Sequence, residues 1–314
     1  MDNFSVVIYQ DSRVEEWNSF IQKAANATFL FDRNFMEYHC DRFDDYSLMI
    51  YKESELLAVF PAHRIDDQVF SHSGLTYGGL CLGRHSDVLK HQRCLEAALQ
   101  FFRSQGITKL SVKVLPEIYS VELVNQFKYI AFQLGGVLKG SEMNMSIDYR
   151  NYSISKSKLK HLRKYRDYEI KIVESDGLEP FWQSVLVPLL AERYQTKPVH
   201  SLVEILKLQA RFPEKIKQFS VYSDEELVGG ITVFEFDEGV KSQYGAATTL
   251  GKEQRALDHL FVYLIKKYED AGMRFFDMGV VTDSTELGYN RGLLQQKKEL
   301  GCTTYLQDII EFEL

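Results

Sequence analysis

The sequence predicts a mixed α/β fold of the α+β class, built from two similar halves that each contain a mostly antiparallel sheet flanked by helices. In each half, grouped strand-like runs are followed by a long amphipathic helix that ends at a glycine. The order of elements also repeats at nearly constant offsets, which matches Leu57 with Leu227, Val69 with Val240, and Gly106 with Gly272. A duplicated domain produces such a repeat, and we therefore predict domains at residues 1–150 and 151–314.

The first half begins with a strand-like run and two helical patterns. Strand patterns lie at 4–10, 46–52, 55–65, 68–73, 107–116 and 137–148. Helical patterns lie at 14–26, 29–43, 87–106 and 121–134. The glycine-marked stretch GLTYGGLCLGR (74–84) separates the meander of strands from the long helix.

The second half opens with a basic helix at 155–168, which we expect at the junction of the two domains. Helical patterns follow at 178–194, 200–212 and 253–272. Strand patterns lie at 169–175, 273–281 and 303–314, together with KQFSVYS, ELVGGITVFEF and VKSQYGAAT. The predicted sheet is therefore mixed, with helices packed on its faces.

Composition excludes several classes of protein. The chain has 314 residues, of which 45% are hydrophobic, and its net charge of -7 rules out a global basic field for nucleic acid. Its four cysteines have no C-x-x-C spacing, which predicts reduced thiols in a cytoplasmic protein and no zinc cluster or other metal. We see neither a signal peptide nor an apolar run of membrane-spanning length.

Four pieces of the second half occur in a distinctive order. They are KSKLKHLRKY, ERYQTKPVHSLVEIL, the strand pair around LVGGITVFEF and SQYGAA, and FFDMG followed by YNRGLLQQKKELG. This ordered set resembles the FemAB-like branch of the GNAT acyltransferase superfamily, whose members carry two acyltransferase-like domains in one chain. The first-half runs FLFDRNFMEYHCDRF and SHSGLTYGGL also resemble bacterial relatives. The resemblance implies two tandem GNAT-like domains and acyl transfer to a sugar or cell-envelope precursor.

The resemblance also implies a donor site before the long helix of the second half. GNAT proteins bind the pyrophosphate of acyl-CoA with backbone N–H groups at a helix N-terminus, where the helix dipole favours an anion. The matching loop is TTLGKEQRAL (248–257), but Gln254-Arg255-Ala256-Leu257-Asp258 lacks the glycines of the usual loop. An ordinary capped helix start is the alternative. The candidate donor-binding residues are Thr248, Thr249, Gly251, Lys252, Gln254 and Arg255.

The first half of a FemAB-like protein is expected to help hold the acceptor. We therefore assign His72, Tyr77 and Arg84 to the acceptor side, although YGGLCLGRHSD can equally be a bulged turn. In the second half, Lys197 and His200 occupy a loop between two helices, where an exposed connection is the alternative. His200 is the best histidine candidate for a base because histidine titrates near neutral pH.

The segment after the strand 273–281 carries an unusual number of polar residues. Asp277, at the end of a buried strand, is a candidate base or else a structural hydrogen-bond acceptor. Tyr289 is the candidate acid, Asn290 an orienting amide, and Lys297 a cation for a phosphate. We expect Lys197, Tyr244, Asp277, Asn290 and Lys297 to converge in a cleft between the domains.

The donor remains open between two chemistries. Six lysine and arginine residues in KSKLKHLRKYR (156–166) form either a solvated helix face or a cationic wall for a phosphate, CoA or a tRNA end. We expect acyl-CoA as co-substrate, with aminoacyl-tRNA as the alternative. A third possibility is a non-catalytic GNAT-fold protein that only binds a ligand. The acyl group, the acceptor and the oligomeric state are not predicted.

Overall fold

The computed structural model describes residues 4–71, 73–164 and 169–314. The chain forms two compact units: unit 1 comprises Met1–Glu142 with Tyr305–Leu314, and unit 2 comprises Met143–Thr304. These units are defined by contacts between residues. The predicted domains at residues 1–150 and 151–314 were based on a repeated order of elements, and their boundary stays a prediction.

Unit 1 contains short strands and two long helices. Its strands are β1 (Phe4–Ile8), β2 (Asp44–Asp45), β3 (Leu48–Lys52), β4 (Glu55–Phe60), β5 (His63–Ile65), β6 (Gln68–Ser71), β7 (Cys81–Leu82), β8 (Lys109–Lys113), and parts of β9 (Val137–Asp148) and β15 (Thr303–Glu313). Its helices are α1 (Val14–Ile21), α2 (Arg33–Met36), α3 (Val88–Ser104) and α4 (Val121–Gln133), with 3₁₀ turns at Asp11–Arg13, Phe29–Phe31 and Glu37–His39.

The strands of unit 1 form two groups. One is an antiparallel sheet in the order β1-β3-β4-β7, and the other follows the order β15-β8-β6-β5-β2. The pair β6–β8 is parallel, and α3 lies between these strands in the chain. Helix α3 is followed by Gly106 at φ 72°, a left-handed conformation that glycine adopts without strain.

Unit 2 contains longer strands and more helices. Its helices are α5 (Lys156–Lys164), α6 (Glu179–Phe181), α7 (Val187–Tyr194), α8 (Leu202–Arg211), α9 (Thr249–Glu253), α10 (Ala256–Asp270) and α11 (Arg291–Glu299), with a π-helical turn at Trp182–Leu186. Its strands are β10 (Ile170–Ser175), β11 (Ile216–Ser223), β12 (Glu226–Glu235), β13 (Gly239–Ala247) and β14 (Phe275–Val280), with the C-terminal part of β9.

The sheet of unit 2 has the order β10-β11-β12-β13-β14-β9; its pair β13–β14 is parallel, and the other pairs among the described residues are antiparallel. Helix α10 connects these two strands, as α3 does for β6 and β8, and it too is followed by a glycine with positive φ, Gly272. The α+β class and the repeated strand–helix–strand order are confirmed. None of the helices among the described residues carries an apolar run long enough to cross a bilayer.

Side chains alternate between the two faces of this sheet. Phe276 and Met278 of β14 belong to the apolar cluster that contains the buried apolar residues of α10. Asp277 lies between them in the strand, and its side chain therefore points to the opposite face. Polar residues that are buried on this opposite face include Asn144, Ser146, Thr232, Lys241 and Asp277.

Two predicted helices are interrupted. The predicted helix 178–194 is α6, the π-helical turn and α7, and Pro188 at the start of α7 lacks the N–H group that a continuous helix needs. The predicted helix 253–272 is divided because Arg255 has a left-handed conformation at φ 59°. Of the predicted basic helix, residues 165–168 lie outside the described residues.

Candidate functional site

The strands β13 and β14 separate soon after they meet, and we call this place the fork. They pair at Gly239–Phe275, Val240–Phe276 and Lys241–Asp277. No further pair joins them among the described residues, although β13 continues to Ala247. The fork therefore leaves one edge of β13 without a neighbouring strand.

Irregular backbone on both strands accompanies the fork. In β13, Tyr244 is opposite Thr232 and Ser242 is opposite Val233, so Gln243 is the extra residue of a bulge. In β14, the register against β9 shifts between Asp277 and Val280, and Gly279 has φ 79°. These bulges turn the two strands away from regular pairing.

Asp277 is fully buried at the base of the fork and has several partners. Its Oδ2 lies 2.8 Å from Nζ of Lys241. Its Oδ1 accepts hydrogen bonds from Nδ2 of Asn144 at 2.9 Å and from the backbone N–H of Gly279 at 2.7 Å. Ser146 Oγ donates to Oδ1 of Asn144 at 2.7 Å, which orients that amide. The carboxylate therefore holds Lys241 and the Gly279 bulge in place.

Lys297 brings a second buried ammonium group to the fork. Its Nζ donates to the carbonyl oxygens of Gly279 at 2.9 Å and Val280 at 3.2 Å. Burial lowers the pKa of Lys297 to about 8; electrostatic interactions with Asp277 and Cys302 oppose this shift, and that with Lys241 adds to it. An ammonium group has three N–H donors. Two of those on Lys297 are used by the bulge.

Asn290 caps the helix that carries Lys297. Its Oδ1 caps α11 by accepting from the backbone N–H of Leu293 at 2.9 Å, which satisfies one orphan donor of the first turn. Lys297 follows two turns later on this helix. Tyr289 is half-buried, forms a bridge with Thr282 and packs against the apolar core. The structure thus brings Asp277 and Lys297 together at the fork, whereas Asn290 acts through the start of α11.

His200 and Tyr244 form a second buried pair. Nδ1 of His200 lies 2.6 Å from the Tyr244 hydroxyl oxygen, which also accepts from the backbone N–H of His200 at 3.3 Å. If the hydroxyl donates to Nδ1, the proton of the neutral imidazole lies on Nε2. Burial raises the pKa of Tyr244 to about 12, so its hydroxyl stays protonated at neutral pH.

The predicted donor loop forms a short helix. Thr248 caps α9 by accepting from the N–H of Gly251 at 3.1 Å. The N–H groups of Lys252, Gln254 and Arg255 donate to backbone carbonyl groups within this segment. Thr249, Lys252 and Arg255 are exposed, whereas Gln254 is buried. These three backbone donors of the predicted loop are thus already used within the loop, and Lys252 and Arg255 expose cationic side chains.

Four further residues were predicted for the site, namely His72, Tyr77, Arg84 and Lys197. Tyr77 is fully buried in unit 1 and donates to Oγ1 of Thr28 at 3.0 Å. Arg84 of unit 1 and Lys197 of unit 2 are exposed. His72 lies outside the described residues. The roles assigned to these residues stay predictions.

Lys241, Asn144 and Gln243 were not predicted from the sequence. Lys241 carried a usable signal, since a lysine within the strand GVKSQYGAA is unusual next to the buried Val240. Gln243 is half-buried, and its Oε1 has no hydrogen-bond partner among the described residues. No pattern in the sequence pairs Asn144 with a residue more than one hundred positions away.

A separate cavity of about 480 Å³ lies in unit 1. Its charged lining residues are Arg33, Glu37, Asp41, Arg42, Asp44 and Asp45. Arg33 at its wall is already paired with Asp45 and Glu37 and stacks on the ring of Tyr9. We therefore centre the candidate site on the fork. No group of three or more potential metal ligands occurs in the described ranges.

The comparisons with known proteins concern the fold. No family model and no curated protein matches this sequence. The structure is similar to FemX, with a TM-score of 0.68 at 12% identity, over 99% of this chain and 97% of FemX. It is also similar to the C-terminal domain of a provisionally named lysylphosphatidylglycerol synthetase from Agrobacterium fabrum, with a TM-score of 0.61 at 9% identity, over 96% and 91% of the two chains.

A third similar structure is a tandem GNAT protein from the clavulanic acid biosynthesis pathway, with a TM-score of 0.50 at 10% identity, over 99% of this chain and 98% of that chain. The chain therefore has the fold of the FemAB-like and tandem GNAT proteins. The predicted resemblance in fold and the two-domain GNAT-like arrangement are confirmed.

Proposed function

We propose that this protein transfers an acyl group from an activated donor to an amine or hydroxyl group of a sugar or cell-envelope precursor. The observation that carries the proposal is the fork, where two parallel strands separate beside the buried ammonium group of Lys297. The names of FemX and of the lysylphosphatidylglycerol synthetase support a cell-envelope acceptor.

The unpaired edge of β13 would bind the donor. An extended chain that carries amide groups can pair with such an edge through main-chain hydrogen bonds. The pantetheine arm of acyl-CoA has these groups and a thioester at its end. Gln243, with its unpartnered Oε1, lies in the bulge of this edge.

Lys297 would stabilise the negative charge that develops on the acyl carbonyl oxygen. Attack by the acceptor forms a bond to the carbonyl carbon, moves an electron pair to oxygen, and later expels the thiolate of the donor. An ammonium group in a buried site stabilises such an oxyanion more strongly than it would in water. A pKa of about 8 keeps Lys297 charged at neutral pH.

His200 and Tyr244 would move the proton of the acceptor. The Tyr244 oxygen receives the proton of the attacking amine while its own proton passes to Nδ1 of His200, which becomes an imidazolium. The 2.6 Å separation of the two atoms suits this transfer. Asp277 would act as a positioning residue in this proposal, because it already binds Lys241 and the Gly279 bulge.

The pyrophosphate of acyl-CoA would bind at the start of α10. The N-cap residue of this helix, Arg255, makes no side-chain capping hydrogen bond, so its side chain does not accept from the N–H groups of the first turn, which include those of Ala256 and Leu257. Exposed Lys252 and Arg255 add positive charge at this helix end, where the dipole already favours an anion.

Helix α5 favours aminoacyl-tRNA as a second candidate donor. Lys158 is buried and forms ion pairs with Asp258 at 3.0 Å and Glu299 at 3.1 Å. These ion pairs hold α5 against α10 and α11, and Lys156, Lys160 and Arg163 of α5 are exposed. An exposed row of cations would bind RNA phosphates in a salt-dependent way.

The test uses two lysine variants that are neighbours in the sequence. Lys297→Met removes the buried ammonium group at the fork, and Lys298→Met removes an exposed one as the matched control. Turnover would be measured with acetyl-CoA, longer acyl-CoA and aminoacyl-tRNA, against amino sugars and lysine-containing peptides. We expect Lys297→Met to reduce kcat by about 10²- to 10³-fold, as for the loss of one oxyanion donor, and Lys298→Met to retain activity.

Donor binding is measured separately by the melting temperature. A donor at about 100 times its Kd should add roughly 2.7 kcal/mol to the free energy of unfolding. If no thioester and no aminoacyl-tRNA stabilised the protein, a non-catalytic GNAT-fold binding protein would be favoured. Full turnover in Lys297→Met would refute the site at the fork.

A further inference from the structure

Gly279 has an open side that two atoms of the described residues approach, its chain neighbours apart. A Cβ atom placed on this glycine would lie 4.0 Å from Nζ of Lys241 and 4.0 Å from Nζ of Lys297. Apart from Gly279 and its two chain neighbours, no other atom of the described residues lies within that distance. Both atoms are ammonium nitrogens. The space next to the bulge is therefore bounded by two cationic donors.

The charges at this place do not cancel. Lys241 and Lys297 are both almost completely buried, and Asp277 is the carboxylate that pairs with Lys241 at 2.8 Å. Lys297 instead binds two neutral carbonyl groups. Two cations and one carboxylate leave a net positive charge in a buried site, where it favours a bound anion.

Donor groups remain available on both lysines. An ammonium group has three N–H bonds. Lys297 uses two of them on the Gly279 bulge, and Lys241 directs one at Asp277. A small anionic atom on the open side of Gly279 could thus accept a hydrogen bond from each lysine.

We infer that Lys241 and Lys297 together form an anion site on the open side of Gly279, which binds the oxygen of the attacked acyl carbonyl. The inference rests on the proposed function and adds Lys241 as a second donor to this oxygen. When the acceptor attacks, the carbonyl π electrons move to this oxygen. When the intermediate collapses, they re-form the C=O bond and the donor thiolate or alkoxide leaves.

Lys241 also affects the charge of its partner. The groups that act on Lys297 are Asp277 of β14, Lys241 of β13 and Cys302 before β15. Burial raises the pKa of the Cys302 thiol to about 12, so this group is neutral at physiological pH. Removing the positive charge of Lys241 should therefore raise the pKa of Lys297, and removing the negative charge of Asp277 should lower it.

The first experiment needs no enzymatic activity. The pH dependence of reductive methylation at Lys297 would be followed by mass spectrometry in the wild type, Lys241→Met, Asp277→Asn and the Lys298→Met control. We expect the titration to move to higher pH in Lys241→Met, to lower pH in Asp277→Asn, and to stay unchanged in the control. Added formate, a small carboxylate probe, should move it to higher pH in the wild type and less in Lys241→Met.

The second experiment separates the transition state from the ground state. Lys241→Met should reduce kcat by about 10²- to 10³-fold with little change in KM, and Lys241→Arg should restore part of the loss. A rise in KM alone would overturn the inference in favour of an anionic group of the bound substrate. Unchanged kcat in Lys241→Met would also overturn it.

Folding and function can fail separately in these tests. If Lys241→Met does not fold, we would use the double variant Lys241→Met with Asp277→Leu, which removes both charges of the pair. The titration of Lys297 is then measured with formate in the double variant and in the wild type. A response to formate that the double variant retains in full would contradict a role for Lys241. A site that binds formate through Lys241 in a protein without turnover would refute the proposed function and retain the anion site.

Discussion

Replacing Asp277 by asparagine should destabilise unit 2 strongly. The asparagine can still accept hydrogen bonds from Asn144 and Gly279, but it leaves the ammonium group of Lys241 without a counter-charge. The Lys241 side chain is only 8% exposed and that of Asp277 is 0% exposed. Removing one partner of a buried ion pair lowers the free energy of unfolding by about 3–5 kcal/mol, because the remaining charge is left in a medium that solvates it poorly.

The chain provides a matched control for this change. Lys215 and Asp237 also lie 2.8 Å apart, but their side chains are 35% and 81% exposed. Asp237→Asn should therefore reduce the free energy of unfolding by about 0–1 kcal/mol, as expected for a surface ion pair. Urea denaturation of both variants, with the m-value checked for two-state behaviour, measures the difference.

Two results would refute this reasoning. A loss below about 1 kcal/mol in Asp277→Asn would show that the buried pair contributes no more than a surface pair. The double variant Lys241→Met with Asp277→Leu removes both charges, and we expect it to recover most of the lost stability. If the double variant were less stable than Asp277→Asn, packing would explain the loss better than the unpaired charge.

Two further predictions concern stability. Gly251→Ala would place Cβ 2.1 Å from the carbonyl oxygen of Val228 and should lower the free energy of unfolding by about 1–3 kcal/mol or more. Gly245→Ala is the control: the atom nearest to its Cβ would be Cγ1 of Ile231 at 3.5 Å, so the loss should be much smaller. Equal melting temperatures of the two variants would contradict this. Burial lowers the pKa of Lys297 to about 8, below its value of about 10.4 in the unfolded chain. The unfolded chain then binds more protons between these values, and the free energy of unfolding should rise with pH across that window. Lys297→Met should reduce this rise, which urea denaturation at several pH values measures. If the free energy of unfolding rose as steeply with pH in Lys297→Met as in the wild type, the lowered pKa would not belong to Lys297.

Helices were predicted well where an amphipathic run and its terminating glycine are both visible in the sequence. The long helices α3 and α10 end at glycines because Gly106 and Gly272 accept a left-handed backbone, and a glycine after an amphipathic run is readable from sequence. Asn290 and Lys297 were identified because they lie in one short segment. The break of α10 from α9 was missed because Arg255 adopts a positive φ that its residue type rarely takes.

The chemistry of the candidate site was only partly predictable. The sequence indicated Asp277 and Lys297 as polar residues near a buried strand. It did not indicate the ion pair of Asp277 with Lys241, because these residues are 36 positions apart with α10 between them. Nor did it indicate that Tyr244 would bond His200, which is 44 positions away.

By itself, the sequence determined the α+β class and the repeated order of elements, because periodicity and capping act over a few residues. Only the tertiary structure decided that β13 and β14 separate after Lys241 and that two buried lysines border Gly279. The register of a parallel pair is set by the packing of the helix between its strands. Side-chain charges that meet across such a pair are therefore fixed by contacts that no local pattern records.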